Sequence, residues 1–365
     1  MKSKKILLSA LFSIVLLAGC SSNESASNDS SAESSAKGGD PGKVYELNLN
    51  VSAGPVHPFT KNVAEPWAEM VEKETNGVVQ VNVHPSAALG NLSSAYEDIK
   101  SGLYEAGLVS PGRHVDTDLF PLTIGDLPFL IESPTVAENV LTKFVNKYMT
   151  DTFVEGSFMS ISSTDAYQLY SKKHIRTAED IKNVKIADTG SIERIELFKD
   201  LGSVPVSLSN TELYESIERG IVDGVAYTAV GANGYKLDEV APHMTKLNIG
   251  ATTLMFMVNT DFLESLPEDI QKMFADKFGP AYGSMITKFY SESSNDSIAA
   301  FTETVKAKGG EVTTPTEEEL KAFKAPAKQL MEKWVEKANQ KGYPGQEMMD
   351  YYTGLLKEEG VILPE

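Results

Sequence analysis

The chain carries five histidines, 51 carboxylates and one cysteine in 365 residues, and these are the side chains to ask about first. Their spacing supplies no catalytic constellation. His57, His84, His114, His174 and His243 contain no H-E-x-x-H pair to hold a metal, and neither a P-loop nor a G-x-G-x-x-G turn is present. There is no G-x-S-x-G elbow to expose a serine nucleophile. No metal and no cofactor is therefore expected, and an enzyme is not. His57 stands apart from the other histidines. It follows a strand-like stretch and precedes a helical one, and the carboxyl ends of strands are where α/β sheets take ligands. Cys20 has no second cysteine to pair with.

The stretch around Cys20 reads "LLAGCSS". Lys2, Lys4 and Lys5 precede an apolar run from Ile6 to Ala18. The run is short of the about 20 residues a spanning helix needs, and its layout is that of a secretory signal. A cysteine directly after Leu-Ala-Gly resembles the lipobox of bacterial lipoproteins. That resemblance implies a diacylglyceryl group on the Cys20 sulfur and cleavage just before it. Residues 21–42 hold eight serines and no large apolar side chain. Such a segment cannot bury enough surface to offset its ordering entropy. The expectation is a signal peptide over 1–19, a lipid-anchored tether over 20–42, and a folded body beyond. Two or more acyl chains hold firmly where one does not, so the body is expected at the extracytoplasmic face of the cell membrane.

About 320 residues remain for that body, enough for two lobes with substantial cores. The net charge is −18, and the three lysines of the first 19 residues make the remainder more acidic still. With no cluster of basic and aromatic residues, nucleic acid is excluded as a partner.

The elements that must place His57 alternate. VYELNLNV (44–51) reads as a strand, and a helix follows to about Thr75 with Pro66 at its start or a kink. VVQVNV is a strand, SSAYEDIKSG a helix closed by Gly102, and AGLVS a buried strand. After DLPFL and a helix over about 134–150, FMSISSTDAYQLYS (158–171) gives one or two strands. TAEDIKN reads as a short helix with Thr177 at its N-cap. VKIA, VPVSL and VDGVAYT are strands with helices between them, and LMFMVN is a strand whose Met255 and Met257 belong to a sheet core. The rest reads as almost wholly helical, with long patterning to about Lys308 and two more helices around 316–340 and 345–359. Alternation of this kind argues parallel α/β sheets.

Taken in order, "HP" at 57–58, "ETNGVVQVNVHPSAALG" at 74–90, "DLPFL" at 126–130, "SKKHIRTAEDIKNVKI" at 171–186, "ELYESIERGIVDG" at 212–224 and "VNTDFLESLPEDIQ" at 258–271 resemble the solute-binding proteins of TRAP transporters, the DctP family. The resemblance implies a two-lobed α/β clamshell like that of periplasmic binding proteins, with hinge strands and a long bracing helix. Lobe I would comprise 43–163 and 250–275, lobe II 164–249, and 267–365 would supply the long helix and C-terminal helices packing on both lobes. The implied role is to capture a small organic acid and deliver it to membrane permease subunits, with the receptor a monomer. A sensing lipoprotein that signals to a membrane receptor would use the same clamshell. A surface-anchored enzyme would need a catalytic cluster that the residues do not supply.

The family pattern departs at the pocket. Where members carry an arginine after "K-I" to pair with a substrate carboxylate, this chain has Ala187. Val225, Ala226 and Tyr227 replace a polar run. Ser94 stands for an acid, and Gln168, after Tyr167, for another arginine. The expected lining is His57, Ser94, Ser110, Tyr167, Gln168 and Tyr227, with Arg113 and Arg194 as charge partners. Two outcomes are open: a monoanionic acid held by one of these relocated arginines, which keeps the substrate class with fewest changes, or a neutral or aromatic solute against the tyrosines.

Overall fold

The computed structural model describes residues 42–153 and 156–364. Cys20, the signal and nearly all of the tether lie outside them. The described residues fall in one unit of contacts, built on two sheets.

The first sheet takes β1 (Tyr45–Asn50), β2 (Val79–His84), β3 (Ala106–Val109), β4 (Gly156–Ser163) and β10 (Thr253–Asn259) in the order β2-β1-β3-β10-β4. β1 runs parallel to β2 and β3, whereas β10 is antiparallel to both of its neighbours. All seven residues of β10 are buried, as a strand covered on both faces requires. The second sheet takes β5 (Tyr167–Ser171), β6 (Lys185–Asp188), β7 (Val204–Ser207), β8 (Gly224–Thr228), β9 (His243–Thr245) and β11 (Glu311–Thr313) in the order β11-β9-β5-β8-β6-β7.

The chain crosses between the sheets at 164–166 and 249–252, and the crossings are pinned side by side. The Thr164 amide donates to the Thr252 carbonyl (3.0 Å), and the Thr252 amide returns a bond to Thr164 Oγ1 (3.0 Å). Tyr167 and residues 249–250 exchange two more at 2.9 Å. Two paired segments of this kind are the hinge of a clamshell.

The helix Gly279–Ala307 braces both sheets. Thr287 Oγ1 meets Ser162 Oγ at 2.6 Å beside the first sheet, and the Ser297 carbonyl accepts from Asn233 Nδ2 (2.8 Å) beside the second. The helix Ala327–Gln340 closes the same seam lower down. Its Trp334 donates to Thr123 Oγ1 (2.8 Å) and stacks on Phe120 with ring centroids 5.5 Å apart, while Lys333 pairs with Asp200 (2.9 Å).

One sequence expectation fails locally, and one strand lies outside those the sequence predicts. TAEDIKN is a series of turns, not a helix. Asp180 Oδ2 accepts from the Arg176 and Thr177 amides and from Thr177 Oγ1 (2.9–3.0 Å), which closes a tight turn, and Asn183 at φ +62° ends it. The same side-chain bonds that cap helices also stabilise isolated turns. β11 lies in the gap between the helix expected to end near Lys308 and the one expected from about 316, where the sequence predicts no strand. It is three residues long, too short for a period, and forms only because β9 offers it an edge.

Candidate functional site

A cavity open to solvent on one side lies between the two sheets. Strand ends supply its wall. Past the end of β1 come Ser52, Ala53 and His57; past β3, Ser110; past β6, Thr189 and Gly190; at the end of β8, Tyr227 and Thr228. The hinge contributes Thr164, Tyr167 and Thr252.

The cavity is aromatic and hydroxyl-rich. Tyr167 and Tyr227 meet edge to face with centroids 6.0 Å apart, Tyr235 lies 6.1 Å from Tyr227, and the His57 ring lies 5.4 Å from Tyr235. Burial pushes the Tyr227 and Tyr290 phenols far up and that of Tyr235 to about 12, so all three present neutral hydroxyls. The Tyr235 hydroxyl is buried and has no partner.

His57 is held as a neutral donor. Its Nδ1 accepts from the Phe59 amide at 3.1 Å, which assigns the proton to Nε2. Burial pulls the imidazole down to about 4, and the buried Nε2 finds no acceptor among the described residues. Gly234 makes room for this ring, because a Cβ there would collide with His57 Nε2.

The structure brings His57, Ser110, Tyr167 and Tyr227 to this one cavity. It does not bring the other four. Ser94 Oγ donates to Asp98 (2.6 Å) at the start of the helix Ala95–Lys100. Gln168 is spent on the turn after β9: its Oε1 accepts from the Leu247 and Asn248 amides (2.9 and 3.1 Å), and its Nε2 donates to Asn248 (2.7 Å). Ala187 is buried in β6 between Val206 and Val225.

Arg194 is wholly buried behind Tyr167. Its Nε donates to Asp188 (2.8 Å), Nη1 to the Ala251 carbonyl (3.1 Å), and Nη2 to Thr252 Oγ1 (2.7 Å). This arginine ties the helix Ile192–Asp200 to the crossing segment at 249–252 and has little donor capacity left for a solute. Arg113 lies instead in an adjoining polar cavity, which shares Ser52, Leu92 and Asn210 with the first. Sequence reasoning missed Tyr235 and Tyr290, which reach the site from the end of a short helix and from the bracing helix. No strand end marks either of them.

Among the described residues no group of His, Cys, Asp or Glu could hold a metal ion, and no helix is long and apolar enough to cross a membrane.

This chain is 29% identical to the ectoine-binding periplasmic protein TeaA of Halomonas elongata over 294 residues, covering 78% of this chain and 83% of the relative. It is 24% identical to the C4-dicarboxylate-binding periplasmic protein DctP of Rhodobacter capsulatus, over 60% of this chain and 66% of that one. The fold matches that of a TRAP solute binding protein from Rhodoferax ferrireducens, crystallised with copurified benzoate, at a TM-score of 0.78 and 19% identity, over 87% of this chain and 99% of the other. It matches a TRAP periplasmic solute binding protein from Sulfurospirillum deleyianum, with bound succinate, at 0.75 and 21%, over 86% and 99%. The profile of bacterial extracellular solute-binding proteins, family 7, matches residues 49–338. With two lobes, a paired hinge and a hydroxyl-lined cleft between them, the chain belongs to the DctP family of extracellular solute-binding proteins.

Proposed function

We propose that this protein captures a small organic acid in the cleft between its lobes, closes over it about the hinge, and hands it to the membrane subunits of a TRAP-type transporter. The observation that carries this reading is the cavity itself: aromatic, neutral and lined from both sheets, so that a solute inside it touches both lobes. Only contacts that differ between open and closed states can drive closure. The names and bound ligands of the relatives, from ectoine to benzoate and succinate, support a small-solute receptor. A thermal-shift screen of organic acids, sulfonates and neutral polyols tests it. A ligand at a hundred times its dissociation constant adds about 2.7 kcal/mol, and small-angle scattering should then show compaction. A screen with no stabilising compound, or an unchanged radius with one, defeats the reading.

Retention at the membrane through a lipid on Cys20 is part of the same proposal. The polar tether after that cysteine supports it. Cys20→Ala should release the protein or leave it uncleaved, and normal processing with unchanged membrane retention would refute the anchor.

A further inference from the structure

Arg113 is a half-buried cation that has no ion-pair partner among the described residues. It leaves the end of β3 through the turn Pro111–Arg113 and stands in the polar cavity at the mouth of the cleft. Its hydrogen bonds go to neutral oxygens only: Nη1 donates to Ser93 Oγ (3.1 Å) and Nη2 to the Leu208 carbonyl (3.4 Å). Its Nε is buried and has no acceptor. Burial pulls its pKa down, with the charge of Asp188 acting the other way. A guanidinium in this state gains from any anion that reaches it, because charge-assisted bonds are about twice as strong as neutral ones.

The neighbouring tyrosine cavity has the opposite character. No Lys, Arg, Asp or Glu lines it. A carboxylate placed there would be desolvated without an ionic partner, which is costly. Arg194 does not relieve this, since Asp188, Ala251 and Thr252 already hold it. The two cavities join along Ser52, Leu92 and Asn210.

We propose that Arg113 is the carboxylate-binding residue of this cleft, and that the solute is a monocarboxylate whose ring or apolar body fills the tyrosine cavity while its acid reaches out to Arg113. This rests on the reading of the cleft as a solute site. One half-buried cation matches one negative charge, so a dicarboxylate would leave its second charge among the tyrosines. The acid would also touch both lobes, since Arg113 comes from lobe I and its present acceptor, Leu208, from lobe II. Specificity then comes from the pairing of one arginine with a neutral aromatic box.

The probes are benzoate, phenylacetate and 3-phenylpropanoate, the primary amide of each, and succinate, titrated calorimetrically into the parent, Arg113→Gln and Arg113→Lys. At least one aryl acid is expected to bind, at least about 30-fold tighter than its amide and than succinate. Arg113→Gln should remove that preference, so that acid and amide bind alike, while Arg113→Lys keeps part of it. Ligand-free melting temperatures of both variants near the parent value show that they are folded, and the retained weak binding of the amide shows that the cavity is intact. The proposal is overturned if acid and amide bind the parent equally, if Arg113→Gln holds the acid within about twofold of the parent, or if succinate binds tightest. If none of the probes bind while another solute stabilises the protein, this proposal falls and the receptor reading stands. If nothing in either set binds, the receptor reading itself has failed.

Discussion

The guanidinium carbon of Arg194 lies 3.8 Å from the centroid of the Tyr167 ring. The stack places a cation directly behind a wall of the cleft, and the cation serves the hinge. Asp188 and Arg194 are both fully buried and paired at 2.8 Å, and the other arms of the guanidinium reach the crossing segment at Ala251 and Thr252.

Removing Arg194 should therefore cost stability first. Arg194→Ala leaves Asp188 buried and unpaired, and breaking such a pair costs about 3–5 kcal/mol. Urea unfolding without ligand should show the whole loss. If Arg194→Ala unfolds near the parent midpoint but binds poorly, the residue is a ligand clamp after all.

Three buried carboxyls set the pH dependence. Desolvation pushes Asp126 up to about 6, Asp165 to about 7 and Glu193 to about 8, with the Asp126 charge adding to the last. Arg194 opposes the shift at Asp126, the Ala229 amide and the Ser294 hydroxyl oppose it at Asp165, and Ser191 and Lys337 oppose it at Glu193. An acid raised on folding keeps a proton that the unfolded chain, titrating near about 4, has lost. These carboxyls thus take up protons on folding between about pH 4 and pH 8, whereas His57, pulled by burial from 6.5 to about 4, and His114 and His243, also lowered by burial, release them below 6.5, so the net fall in stability comes as pH rises above about 6.5. Exposed carboxylates held low by turns and caps, such as Asp180 and Glu319, act below it. Urea midpoints should decline from about pH 6.5 to pH 8, and Asp165→Asn should flatten the decline. A midpoint that climbs over this range contradicts the assignment.

Tyr235→Phe should separate stability from binding. The hydroxyl is buried without a partner, so its removal takes away a desolvation penalty of about 1–3 kcal/mol and leaves the empty protein equally or more stable. A ligand that bonds the hydroxyl should bind about tenfold more weakly, the measure of one lost hydrogen bond of about 1–1.5 kcal/mol. Lower stability with unchanged affinity would mean that the hydroxyl serves the fold.

The sequence revealed the architecture wherever the period was long enough to register. β1, with Tyr45, Leu47 and Leu49 turned inward, and the fully buried β10 were both legible as strands. The three residues of β11 carry no period, and their pairing with His243–Thr245 is set by tertiary contact. The site divides in the same way. His57, Ser110 and Tyr227 sit at or just past strand ends, where the rule for α/β sheets places ligands. Tyr235 and Tyr290 come from helices, whose facing is fixed only when the lobes meet. Gln168 and Arg194 illustrate the remaining limit. Their types and positions suit ligand binding, yet backbone groups at 247–252 claim both side chains.

The placement of β10 also dictates when the first sheet can close. β3 and β4 do not touch; β10 separates them and pairs with both. A chain emerging from the ribosome has made β1 to β4, and then β5 to β9 of the second sheet, before Thr253–Asn259 exists. Until then β3 and β4 each keep an open edge facing where β10 will go, the kind of unpaired edge that invites aggregation. The first sheet cannot close until five strands of the second have been made. Nascent intermediates halted between residues 163 and 253 are the ones that most need a chaperone, and a fragment ending there should be insoluble.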